Sequence, residues 1–380
     1  MVIYIFGLFL LSGLGCCSFI FKNNKKVIIS LIVVACLFMW CLSSFKSTSI
    51  GTDTPVYLEW YANGKNFSSI MTYRDVGYGF YQFICANLNI PWNLFLALSF
   101  SVLYIGVGLY AYYFSKYPLL MIFIVYTFAL FYFSLSGIRQ SMSVGFCLIG
   151  MTLFRKKKII NWVLCYLFFL IAILFHRAAI VIVIYPLLSM LKLTKKSFYY
   201  LLILTIVLVI FSKYIELFFS YVIPYLEYAP ETKTSNYSLI FAIIVFLVVA
   251  SAIFFPHQYD SLNEKIDHLF KRNKASNNVE ISDSGECAIE KKKIEENYFI
   301  SVPFLFFLIL GLYSTVTVRG YYFFHLPFAL LICSFIGSQK SKIVRIILLV
   351  LAYLFFAFYF CWAFLLNAGT DYVPYQFFFQ

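Results

Sequence analysis

Charged side chains are scarce in this chain: 12% of its 380 residues, where a soluble globular domain carries about 25%. That shortage excludes a water-exposed surface over most of the molecule. Acidic residues are fewer than basic ones, 16 Asp and Glu against 29 Lys and Arg, and there are only four histidines. No Asp-x-Asp-like motif and no His/Asp cluster marks a metal site, so metal-independent chemistry with no cofactor is expected. No basic residue precedes the first apolar segment, Val2 to Phe21, whose lysines follow it. A secretory signal peptide has the reverse order, so this segment is expected to stay as the first span. Most of the ten cysteines fall within apolar segments and do not group at metal-ligand spacing. They read as small apolar side chains.

What is present is hydrophobic: 63% of the residues, with a mean hydropathy of +0.88. The fold class is therefore an all-α, polytopic membrane helix bundle, with residues 1–380 as a single integral membrane domain. A span needs roughly 20 apolar residues at 1.5 Å per residue. Twelve are expected, near 2–21, 27–45, 91–114, 118–136, 139–154, 159–175, 178–191, 198–211, 239–255, 298–316, 320–337 and 343–366. The segment "GYGFYQFICANLN", 77–89, is too short and too polar to cross and reads as an interfacial helix following an outward loop, 46–75.

The net charge of +13 would suggest nucleic acid in a soluble protein. Here the membrane explains it, and no nucleic-acid partner is expected. Placing "KNNKK" inside puts "KYP", "RKKK", "KLTKK", "QKSK" and the cytoplasmic loop 256–297 inside too, with both termini outside. All but eight of the 29 basic residues then lie inside. The outward eight are Lys46, Lys65, Arg74, Arg139, Arg177, Lys213, Lys233 and Arg319. Arginine supplies seven of the 29 basic residues yet four of these eight. Arg139, Arg177 and Arg319 each sit at the turn of a tight hairpin, at or slightly below the outer surface.

Guanidinium keeps its charge and pairs bidentately with phosphate oxygens. Three of them at one depth point to an anionic ligand such as a lipid-linked diphosphate. The alternative is that each snorkels to headgroups or pairs with a nearby acid. His176, beside Arg177 at the apex "LFHRAAI", is a candidate general base or a residue that caps its helix. Asp53, in the turn "GTDTP", is a candidate base or the cap of a short helix from Pro55. Asp75 forms either a surface ion pair with Arg74 or a ligand contact. Tyr57, Trp60, Tyr61, Tyr73, Tyr78 and Tyr81 fit an interfacial belt and equally fit stacking platforms for sugar rings. The tail "NAGTDYVPYQFFF" repeats that pattern with Asp371, Tyr372, Pro374 and Tyr375.

At these residues the chain resembles the EpsG-like branch of the bacterial Wzy-type polysaccharide polymerases. The matching pieces are "GTDTPVYLEWY", "DVGYGFYQF", "SGIRQSMSVGF", "FHRAAIVIVIYPL", "RGYYFFHLPFAL" and "VPYQF", in the family's order from about residue 50 to the end. That family usually carries glutamate where Asp75 stands, so the charge is kept and the reach shortened. The resemblance implies a class C type of membrane glycosyltransferase. Such an enzyme transfers a growing glycan from undecaprenyl diphosphate onto the next lipid-linked repeat unit at the outer face of the bacterial plasma membrane. It carries the family's acidic turn onto Asp53, its arginines onto Arg139 and Arg319, and its apex onto His176 and Arg177. The expected roles are catalytic for His176 and Asp53 and diphosphate binding for Arg139, Arg177 and Arg319. Tyr57, Asp75, Tyr78, Gln140, Tyr322 and Tyr375 are the expected glycan contacts. The lipid-linked oligosaccharide, membrane lipids and a chain-length regulator are the candidate partners. A lipid-linked oligosaccharide flippase would need basic residues at several depths and internal repeat symmetry. An O-antigen ligase would typically concentrate its site on a large outward loop before the last spans. The sequence shows neither pattern.

Overall fold

The computed structural model of the chain describes residues 1–66, 75–156, 158–191, 193–222, 236–254, 261, 263, 266, 280–311, 319–366 and 372–379. Tyr73, Arg74, Lys233, Asp371 and half of the 256–297 loop lie outside the described residues. The described elements are helical, joined by loops and one isolated antiparallel bridge, Lys46 with Phe377. Among the described residues, five helices are long and apolar enough to cross a membrane: Val2–Ile20, Lys25–Ser44, Trp92–Phe114, Arg319–Gly337 and Lys342–Leu365. Shorter apolar helices accompany them. The expected all-α membrane bundle is what the chain forms.

Contacts gather in two compact units, Met1–Val183 with Ala352–Gln380, and Ile184–Leu351. The first begins with α1 (Val2–Ile20) and α2 (Lys25–Ser44). The Asn24 side chain caps α2 by accepting from the Val27 N–H at 3.3 Å. Two short helices follow, α3 (Thr54–Ala62) and α4 (Val76–Asn87), the latter where the interfacial helix is expected. Asn89 at φ 51° then turns the chain into α5 (Trp92–Phe114).

The apolar run after Pro118 departs from the expected single span over 118–136. It forms α6 (Pro118–Thr127), breaks at Ala129 with φ 70°, and resumes as α7 (Leu130–Ser134). Every residue of α6 is buried, so it forms the centre of this unit rather than a lipid-facing wall. Next come α8 (Ile138–Phe154) and α9 (Ile159–Phe175). The packing order is α1 against α6, α2 against α5, α5 against α8, and α8 against α9. Hydrogen bonds pin these pairs: Tyr126 to the Tyr4 carbonyl at 2.9 Å, the Trp40 indole to the Ala97 carbonyl at 2.8 Å, and Ser143 to the Ala172 carbonyl at 2.8 Å. A buried polar group costs free energy unless it is partnered, so each bond also selects one helix register.

Beyond His176 the expected helix over 178–191 is a 3-10 helix, Arg177–Ile184, continued by α10 (Tyr185–Leu188). The β-branched run "IVIVI" leaves its side chains crowded in an α-helix. The second unit holds α11 (Lys195–Val222), α12 (Asn236–Phe254), α13 (Glu280–Leu310), a 3-10 turn Arg319–Phe324, and α14 (His325–Gly337). Helix α15 (Lys342–Phe360) follows. Helix α13 starts at Glu280, well before the expected 298, because its charged first half is still helical. Phe304 stacks on Phe328 at 4.2 Å, and Ser301 donates to the Pro327 carbonyl at 2.9 Å, tying α13 to α14.

Candidate functional site

Helices α2, α5, α6, α8 and α9 run antiparallel in sequence, so the turns of the first unit fall at two ends. One end carries Lys22, Lys25, Lys26, Lys116, Arg155 and Lys156. The other carries the loops before α3, α4 and α8 and after α9, and there six of the predicted site residues meet: Tyr57, Asp75, Tyr78, Arg139, His176 and Arg177.

Asp75 immediately precedes α4, as its N-cap. Its carboxylate makes no bond back to its own helix and instead receives three partners from elsewhere. Arg139 Nη1 donates to Oδ2 at 2.7 Å, the Arg177 backbone N–H donates to Oδ1 at 3.1 Å, and His176 Nδ1 lies 3.5 Å from Oδ2. Arg177 opens the 3-10 helix and Val76 opens α4, so the carboxylate sits at two helix N-termini, where a negative charge is favoured. Burial by itself would raise the Asp75 pKa. The His176 ring, the Arg139 guanidinium and the Arg177 N–H together outweigh it and hold the carboxyl below its usual 3.8.

Arg139 is the second residue of α8. A cation there opposes the helix dipole by about 0.3–1 kcal/mol, which the Asp75 charge offsets. Its Nε donates to the Tyr57 hydroxyl at 3.2 Å. Three rings surround the guanidinium carbon: Trp60 at 5.1 Å, Tyr57 at 5.6 Å and Tyr78 at 6.0 Å. Such contacts are worth about 0.5–2 kcal/mol each. The side chain keeps 20% exposure, enough to reach a ligand.

His176 is the C-cap of α9, in extended backbone, with its N–H on the Ala172 carbonyl at 2.9 Å. The α9–α4 approach brings it to Asp75. A Cβ added at Gly77 would stand 2.9 Å from the Leu174 backbone, so only glycine lets the two helices come this close. The Arg177 side chain is exposed beside the cluster.

The other predicted residues stand as follows. Asp53 is exposed at the N-cap of α3, which starts at Thr54 rather than Pro55, and its side chain makes no capping bond. Its carbonyl accepts from the Tyr57 N–H, one turn from Arg139's cage. Gln140 is buried next to Arg139, and Tyr78 is fully buried. Tyr375 is buried with its hydroxyl on the Leu42 carbonyl at 2.7 Å. Arg319 and Tyr322 belong to the second unit, on its 3-10 turn, with Tyr322 buried against Tyr321. One participant was not among the predicted site residues: Trp60, three residues after Tyr57 and hence on the same helix face. Among the described residues no group of three His, Cys, Asp or Glu side chains gathers to hold a metal ion.

The model of the EpsG family matches residues 29–377, nearly the whole chain, and the chain belongs to that family. It is thus a polysaccharide polymerase-like membrane protein of the glycosyltransferase type. No curated protein and no solved structure matches it.

Proposed function

We propose that this EpsG-family chain transfers a growing glycan from undecaprenyl diphosphate onto the next lipid-linked repeat unit at the outer face of the plasma membrane. The observation that supports this reading is the meeting of Arg139, Asp75, His176 and the Arg177 N–H at the end of the first unit opposite its lysine-rich end. An excess of Lys and Arg marks the cytoplasmic side, so the cluster faces outward.

Transfer requires an acceptor hydroxyl to lose its proton while the anomeric carbon leaves the diphosphate. The new glycosidic bond forms from the acceptor oxygen, and the electron pair of the broken bond departs on the diphosphate. His176 takes the proton. The Asp75 carboxylate beside Nδ1 orients the ring and favours the tautomer protonated there. The Arg139 and Arg177 side chains meet the charge developing on the leaving diphosphate, in a site of low dielectric where such contacts are strong. The exposed acid at Asp53 and the rings of Tyr57 and Trp60 stand where the sugars approach.

The test is made in cells whose own copy is replaced by Arg139→Ala, with surface polysaccharide resolved by gel. The expected pattern is carrier or core bearing single repeat units in place of a ladder. An unchanged ladder, with the variant still present in the membrane, overturns the reading.

A further inference from the structure

Lys46 is fully buried, and its Nζ has three oxygen acceptors. It donates to the Ile50 carbonyl at 3.0 Å, to Thr54 Oγ1 at 2.7 Å, and to the Leu135 carbonyl. A buried ammonium costs several kcal/mol unless its donors are satisfied, and here each of its three N–H groups has an oxygen to meet. The turn that carries two of these oxygens is shaped for the purpose. Gly51 takes φ 92°, and a Cβ there would collide with the Leu135 carbonyl. Thr54 Oγ1 also donates to the Ile50 carbonyl at 2.7 Å, closing the ring of contacts around the ammonium.

Leu135 stands at the end of α7, and the chain from Leu135 to Gly137 leads directly into α8 and Arg139. A second clamp grips the same segment from the tail. The Tyr372 and Ser136 hydroxyls are 2.7 Å apart. The tail in turn bridges to Lys46's own segment, through Ser47 N–H to the Gln376 carbonyl at 2.8 Å and Phe378 N–H to the Phe45 carbonyl at 3.0 Å. The 50–54 turn and the end of α7 therefore meet at one buried amine, and the tail binds the segments on either side of it.

We propose that Lys46 is a positioning residue for Arg139: by holding the Leu135 carbonyl it fixes the segment from which α8 starts and so aims the guanidinium. The proposal rests on the reading of Arg139 as a diphosphate contact. Lys46 itself is sealed from solvent and touches no substrate.

Two measurements on the purified full chain in detergent test it. The first is hydrogen exchange in Lys46→Met, which keeps the stem and removes the ammonium. Exchange at amides 135–141 should accelerate at least tenfold while α5 and α9 keep their protection. Unchanged exchange at 135–141 overturns the proposal. The second is affinity for farnesyl diphosphate in the wild type, Lys46→Met, Arg139→Lys and the double variant. Both single variants should weaken binding, and the double should be no weaker than Arg139→Lys alone, because a mispositioned guanidinium has already lost its contact. Additive losses, or normal binding by Lys46→Met, overturn the positioning role. Wild type that ignores farnesyl diphosphate overturns the Arg139 reading and the aim assigned to Lys46 with it, while the exchange result still decides whether Lys46 holds the segment. Thr54→Val, which deletes one acceptor and keeps the shape, replaces Lys46→Met if that variant does not fold, with the same outcomes expected at smaller amplitude.

Discussion

Asp75 and Arg139 form a mostly buried ion pair, Oδ2 to Nη1 at 2.7 Å, with side-chain exposures of 6% and 20%. A charge left alone in such a place costs about 3 kcal/mol or more, whereas replacing both partners by neutral groups is often nearly neutral. Arg139→Met should therefore lower the thermal unfolding midpoint in detergent sharply. The double variant Asp75→Asn/Arg139→Met should recover most of the loss, yet neither should make polymer. A double variant as unstable as the single would show that the pair is not what holds this corner together.

Arg139→Lys keeps the charge and loses the fork. A lysine ammonium cannot serve Tyr57 and Asp75 while lying flat among three rings. Each charge-assisted hydrogen bond forfeited is worth about 1.5 kcal/mol, so the high-molecular-weight polysaccharide should fall at least about tenfold. A lysine variant with a full ladder would mean that charge alone suffices.

His176→Gln separates proton transfer from diphosphate binding. A positioned base contributes about 10²–10⁴-fold in rate, so the ladder should vanish. Farnesyl diphosphate should bind as it does to the wild type, because the guanidinium groups remain. Loss of both together would place His176 on the diphosphate instead.

Much of this architecture was legible before any coordinates. Hydrophobic run lengths located eight of the twelve expected spans to within a few residues; those over 118–136, 178–191, 198–211 and 298–316 differ in their breaks, helix type or ends. The basic residues left at the wrong end singled out Arg139 and Arg177, and the apex "FHR" singled out His176. Composition could not show the break at Ala129, because a φ of 70° there is imposed by packing around the buried α6 and not by alanine's own preference. For Asp75 the sequence offers an ion pair with Arg74 or a ligand contact, since adjacent residues are visible in a sequence and partners 64 and 101 positions away are not. Lys46 looked like an ordinary loop lysine for the same reason: its acceptors are mostly backbone oxygens, which no residue type announces. Trp60 was within reach of a helical reading, lying three residues from Tyr57, but its target was not.

Gly77→Ala tests whether the approach of α4 to α9 assembles the site. The added methyl would meet Leu174 Cβ at 2.8 Å and its backbone at 2.9 Å. Backbone cannot move aside as a side-chain tip can, so α4 must shift, at a cost of about 1–3 kcal/mol. Asp75 begins at the same helix end and moves with it, away from His176 and the Arg177 N–H. Polymer yield should therefore drop more than a comparable destabilisation elsewhere, for instance Ala97→Gly in α5, would produce. Equal effects at matched stability would remove the helix approach from the argument.

Lys46 should leave a signature in the pH dependence of stability. Burial pushes its amine down from 10.5 to about 7, with the nearby Asp53 charge pulling the other way. The unfolded chain then binds the proton more tightly than the folded one, so unfolding takes up a proton anywhere between about 7 and 10.5. Stability attributable to this group is full above 10.5, declines as pH falls across that window, and levels off below about 7. The whole window is worth about 5 kcal/mol at 1.36 kcal/mol per pKa unit. Thermal unfolding of the wild type should therefore shift upward from pH 7 to pH 10, and Lys46→Met should lack that rise. A wild type and a Lys46→Met variant with parallel pH profiles would show that the amine stays charged throughout, its three oxygens compensating fully for the lost water.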